Sequence, residues 1–127
     1  MHTAKNFSKQ LKWYNIFWRL IKIGCLLIIP LDFKYFFTSE DLLHSFLEVY
    51  KECERPKYVP EIFDCDDFAW IFKSKALDWG IVTGFVIGWH NGLHCWNVCV
   101  TYNKAYFIEP QTGNIVSKGY KPILTII

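Results

Sequence analysis

Helical periods in the first part of the chain and strand-like runs in the second assign it to the α+β class, and three observations carry that assignment. Up to about Gly80 the polar residues recur at steps of three and four, the period of a helix. Beyond Gly80 the apolar runs shorten and are separated by turn-forming Asn and Gly, the pattern of antiparallel strands. The composition, 52% apolar and 19% aromatic, suits the filled interior of one domain spanning residues 1–127 and excludes a disordered chain.

Taken in order, Lys5, Lys9, Lys12, Asn15, Arg19 and Lys22 mark a narrow basic stripe on an otherwise apolar segment. They predict an amphipathic helix over residues 1–30, ended by Pro30. Two readings of that helix remain open: packing on the core with its charges solvated, or contact of residues 5–29 with an anionic membrane surface. The apolar run Cys25–Ile29 is far shorter than the ~20 residues a membrane span needs. A second helix is expected over 38–54, capped by Thr38 or Ser39, with Glu40 and Asp41 in its first turn. Leu42, Leu43, Phe46, Leu47 and Tyr50 form its buried face.

A catalytic core is expected over 58–127. Its helix begins near Cys65, turns Phe68, Ala69, Phe72 and Ala76 inward and stops at Gly80. Strands follow over Ile81–Trp89, Leu93–Tyr102, Ala105–Glu109 and Ile123–Ile127. His90-Asn91-Gly92, Asn103-Lys104 and Gln111-Thr112-Gly113-Asn114 supply the turns.

Net charge is only +2, so no nucleic acid partner is expected. The five cysteines, at 25, 53, 65, 95 and 99, follow neither a disulfide framework nor a zinc spacing. A reducing, cytoplasmic setting is expected, with peripheral membrane contact through the first segment as the alternative to its packing on the core.

A cysteine reacts as thiolate, and a helix start stabilises one through its unpaired N–H groups. Cys65 stands at such a start. His94, on the strand after the first hairpin, is the best-placed base; His90 lies in a turn as a fallback, and His2 and His44 lie in poorer contexts. Three segments sharpen the pattern: Phe63-Asp64-Cys65-Asp66-Asp67-Phe68-Ala69, His94-Cys95-Trp96-Asn97-Val98 and Ile108-Glu109-Pro110-Gln111-Thr112-Gly113. In this order they resemble the papain-like domain of the fungal mushroom agglutinins and related phage and bacterial proteins, over about Tyr58 to Ser117. The resemblance implies a papain-like fold, a calcium-activated peptidase, and a triad of Cys65, His94 and Glu109.

Hairpin geometry competes with it for the third residue. A turn centred on Asn103 and Lys104 sets Glu109 opposite Val98, about 13 Å along the strand from His94, and brings Gln111 diagonally next to His94. Glu109 and Gln111 therefore both stand as candidates to orient the imidazole. The chain lacks the glutamine that papain-like enzymes place ahead of the cysteine; Trp70, Asn97 and Tyr58 are the candidate oxyanion helpers. Asp64, Asp66 and Asp67 crowd the thiol with negative charge, which a bound calcium ion would offset; capping of the helix accounts for them equally well. The expected function is a cysteine-dependent hydrolase of peptide or amide bonds. The alternatives are an inactive papain-like fold serving as a binding or membrane-associated module, an acyltransferase of transglutaminase type, and a calcium-binding structural protein.

Overall fold

The computed structural model describes residues 6–32, 34–60 and 64–127. The chain runs β1 (Asn6–Lys12), α1 (Trp13–Ile21), β2 (Ile28–Ile29) and β3 (Lys34–Phe37), then α2 (Glu40–Glu52) and α3 (Cys65–Asp78). Five strands complete it: β4 (Thr83–Trp89), β5 (Leu93–Val100), β6 (Ala105–Glu109), β7 (Asn114–Val116) and β8 (Lys121–Ile126). This is the expected α+β arrangement. Its six-stranded sheet, ordered β2-β8-β4-β5-β6-β7, is antiparallel except at the parallel β2–β8 edge, so the sheet is mixed.

The helix expected over residues 1–30 is corrected to Trp13–Ile21. Residues 6–12 instead pair as β1 with β3 in a separate two-stranded ribbon, an arrangement set by a partner more than twenty residues away and invisible in local periodicity. The helix closes at Gly24, whose φ of 96° suits the left-handed position of a C-terminal cap. There the Gly24 N–H donates to Ile21 and the Cys25 N–H to Leu20.

α2 starts where capping chemistry places it, with the Ser39 hydroxyl accepting the Leu42 N–H at 3.1 Å. Leu43, Phe46, Leu47 and Tyr50 are its buried residues. α3 ends at Gly80 (φ 73°), where the Ile81 N–H reaches the Ala76 carbonyl.

Alternation along β5 divides the core. Trp96, Val98 and Val100 join Ile16 and Leu20 of α1 on one face of the sheet. Cys99 joins Phe46, Tyr50, Phe72 and Ala76 of α2 and α3 on the other. β5 is thus buried on both sides, and α3 packs across it with its first residue, Cys65, at the strand's leading end.

Candidate functional site

The β5–β6 register decides which residue meets His94. The turn expected at Asn103 and Lys104 instead spans Tyr102 and Asn103, with the Thr101 N–H donating to the Lys104 carbonyl at 2.9 Å. The Thr101 hydroxyl fixes it there by accepting the N–H groups of Asn103 and Lys104, at 3.3 and 3.2 Å. Pairing is therefore Asn97 with Ile108 and Val98 with Phe107. Glu109 falls two positions nearer His94 than the earlier register placed it, level with Trp96.

His94 Nε2 and Glu109 Oε2 lie 2.8 Å apart, with side chains only 15% and 10% exposed. A second donor reaches the same oxygen: the Tyr120 hydroxyl, at 3.2 Å, from the segment between β7 and β8. Burial, then the Glu109 charge and this hydrogen bond, push the Tyr120 phenol up to about 12, so it donates throughout the neutral range. Tyr120 is in turn stacked on His90, with centroids 3.8 Å apart, and His90 Nδ1 lies 3.1 Å from the Gly119 carbonyl. His90 thus backs Tyr120 from behind. Gln111 is not beside His94. It lines a separate groove of about 300 Å³ with Cys53, Arg55, Tyr58 and Phe68.

A close backbone approach shapes the floor. Gly88 pairs with His94 across β4 and β5, and a Cβ there would lie 2.6 Å from the Trp96 ring and inside the Lys121 carbonyl. Only glycine leaves β8 free to close over this end of the sheet.

Cys65 is the first residue of α3, with Asp64 as N-cap. The Asp64 N–H donates to the Asp67 carboxylate at 3.2 Å, so part of the acidic group closes the helix end. The thiol is half-buried against the Cys95 backbone, next in the chain to His94. Its pKa is raised, first by burial and further by Asp64 and Asp66, against a hydrogen bond from the Cys95 backbone that lowers it. The thiol form therefore dominates at neutral pH. Among the described residues no hydrogen bond joins Cys65 to His94.

The oxyanion helpers expected from sequence are placed elsewhere. Both amide protons of Asn97 are committed, to the Ala69 and Gly84 carbonyls at 3.1 Å each. Trp70 lies exposed against Phe85, and Tyr58 stacks on Phe68. His44 is exposed on α2, 4.0 Å from Glu40; His2 and Phe63 lie outside the described residues.

Asp64, Asp66 and Asp67 bring one carboxylate oxygen each within 4.8 Å of one another. A hydrogen bond with Asp66 is the main cause of a raised Asp64 pKa, the response of carboxylates that crowd together. All-oxygen donors of this kind fit a hard cation such as calcium.

An α+β domain with a largely buried imidazole–carboxylate pair near a half-buried helix-start thiol is the class of protein that fold and site define. Comparison with known proteins then gives named shapes similar to it. No family model matches the chain, and no curated protein does. Solved structures do match. One, described as "PSL1a-E64 complex", has a TM-score of 0.75 and 25% identity, covering 93% of this chain and 50% of that chain. Another is a Polyporus squamosus lectin bound to the epitope Neu5Aca2-6Galb1-4GlcNAc, with a TM-score of 0.74, 22% identity, and coverage of 93% and 49%. The chain spans about half the length of these solved chains.

The fold is therefore similar to that of a fungal lectin, and this corrects the expected function. One of these solved structures is named as a lectin and neither is named as a peptidase, so the reading of this chain as a cysteine-dependent hydrolase, or thiol protease, is not carried forward.

Proposed function

We propose that the chain is a ligand-binding module whose site is centred on His94 and Glu109, with Tyr120 and His90 behind them and Cys65 at the edge. The observation that carries this reading is the His94–Glu109–Tyr120 cluster. One carboxylate oxygen takes two donors, which holds the imidazole by its Nε2. The finer resemblance, to the papain-like domain of the mushroom agglutinins, concerns the arrangement of Cys65, His94 and Glu109, kept here for binding without turnover.

The ligand is a small polar molecule that hydrogen-bonds His94 and lies against the Cys65 thiol. Two probes follow from what the similar structures hold: the sialylated trisaccharide and the thiol-directed compound E-64. Because the chain matches only half of each lectin, both are tests rather than assignments. A calcium ion held by Asp64, Asp66 and Asp67 would offset their charge and lower the thiol pKa.

The experiment is a titration of the intact chain with each probe, with and without calcium, read by calorimetry and intact-mass spectrometry. Saturable binding of at least one probe that is weakened at least tenfold in His94→Ala supports the reading. Binding that survives His94→Ala and Glu109→Gln unchanged removes the site from it.

A further inference from the structure

The chain divides its charge unevenly. Five of its fourteen Lys and Arg stand in residues 1–31, where none of its twelve Asp and Glu stands; that stretch carries +5 and the remainder −3. The structure shows what accompanies this charge. α1 buries only Ile16 and Leu20 against the sheet, and turns Trp13, Tyr14, Trp18 and Ile21 to solvent. Trp18 is 64% exposed, and the loop that follows presents Leu26 at 85%, Leu27 at 58% and Leu31 at 62%. Such a cluster of large apolar side chains is more than scattered surface exposure.

The basic residues flank this apolar face. Lys12 and Lys22, at the two ends of α1, are both exposed, while Arg19 donates to the carbonyls of Asn15 and Tyr102 and fastens the helix to the β5–β6 turn. A short helix anchored by one side, showing Trp and Tyr outward between lysines, has the chemistry of an interfacial element. Among the described residues no helix is long and apolar enough to cross a membrane, so the contact would lie along the surface.

We propose that the outer face of α1, with the loop of residues 24–31, docks on an anionic lipid headgroup layer. The aromatic and leucine side chains enter the headgroup and acyl boundary, and Lys12 and Lys22 meet the lipid phosphates. Charge selects this occupant over a second copy of the chain, since pairing two such faces would bring Lys12 and Lys22 of each copy, four positive charges, together with no acid in residues 1–31 to offset them. The proposal is independent of the His94 site.

The test is flotation of the intact chain with vesicles of phosphatidylcholine alone and of phosphatidylcholine mixed with phosphatidylglycerol, with tryptophan fluorescence as a second readout. Preferential binding to the anionic vesicles, a blue shift and weakening by salt are expected. Lys22→Glu, a change of two charges, is expected to weaken binding roughly thirtyfold, about fivefold per charge. Trp18→Ser is expected to weaken it about tenfold. Both positions are exposed, and circular dichroism checks that both variants fold. Equal binding to neutral and anionic vesicles, flotation unchanged in both variants, or no binding to either vesicle would overturn the proposal. A concentration-dependent dimer abolished by Trp18→Ser would overturn it in favour of a second copy.

Discussion

Replacing Asn97 with alanine should loosen the site from beneath. Asn97 is fully buried on β5, and its amide donates to Ala69 on α3 and to Gly84 on β4, each at 3.1 Å. It therefore ties the helix that carries Cys65 to the strands that carry His94 and Gly88. Two neutral buried hydrogen bonds are worth about 1 kcal/mol each, and the space left behind adds a further ~1 kcal/mol. The Asn97 oxygen is buried with no partner, so deleting it returns part of that cost. The net expectation is a loss of about 2 to 3 kcal/mol, read by urea denaturation with an unchanged slope and a midpoint drop of roughly 10 °C on heating. Asn97→Asp should cost more, because a carboxylate would face two carbonyl oxygens without a proton to offer. A loss below about 0.5 kcal/mol for Asn97→Ala would show that the amide does not hold helix to sheet.

Further expectations concern titration and packing. Burial pushes the Cys95 and Cys99 thiols up to about 12, against 9.0 for an unperturbed thiol. In the unfolded chain they lose their protons from about pH 9, so above that pH the unfolded state binds fewer protons and stability falls as pH rises through 9 to 12. Thermal melts at pH 7, 9 and 10.5 should fall in that order, and less steeply in Cys99→Ala; a flat profile would contradict the burial. In Glu109→Gln the Tyr120 phenol should titrate below its value of about 12, because a negative charge beside it is gone; ultraviolet difference titration against Tyr120→Phe isolates it. Asp66→Asn should speed iodoacetamide labelling of Cys65 at pH 8, since Asp66 contributes to the raised thiol pKa. Gly88→Ala should cost about 2 kcal/mol or more in chemical denaturation, its methyl meeting the Trp96 ring and the β8 backbone.

Features written in a few neighbouring residues were legible in the sequence. Ser39 before Glu40 and Asp41 marks the start of α2, Gly80 marks the end of α3, and Asn91-Gly92, with φ of 54° and 119°, marks the first hairpin. Features that depend on distant partners were not. β1, β2 and β7 are short strands that exist only through pairing with β3, β8 and β6. The second hairpin differed by two positions because a hydroxyl, that of Thr101, chose the turn, and that shift exchanged Gln111 for Glu109 beside His94. Tyr120 carried no local signal, since its hydrogen bond to Glu109 depends on the path from β7 to β8. The residue order Cys65, His94, Glu109 was readable, but the order of side chains does not state what they do. The likeness to a solved lectin structure turned the expectation away from hydrolysis, and the binding role is the reading proposed above.

The most direct test is nuclear magnetic resonance of the histidine ring nitrogens, recorded while the trisaccharide and then E-64 are titrated into the intact chain with a reporter peptide present. The account predicts that at least one probe shifts the His94 Nδ1 signal saturably, and that the peptide stays intact. Peptide cleavage that disappears in Cys65→Ala, or a His94 signal unmoved by both probes, would contradict it.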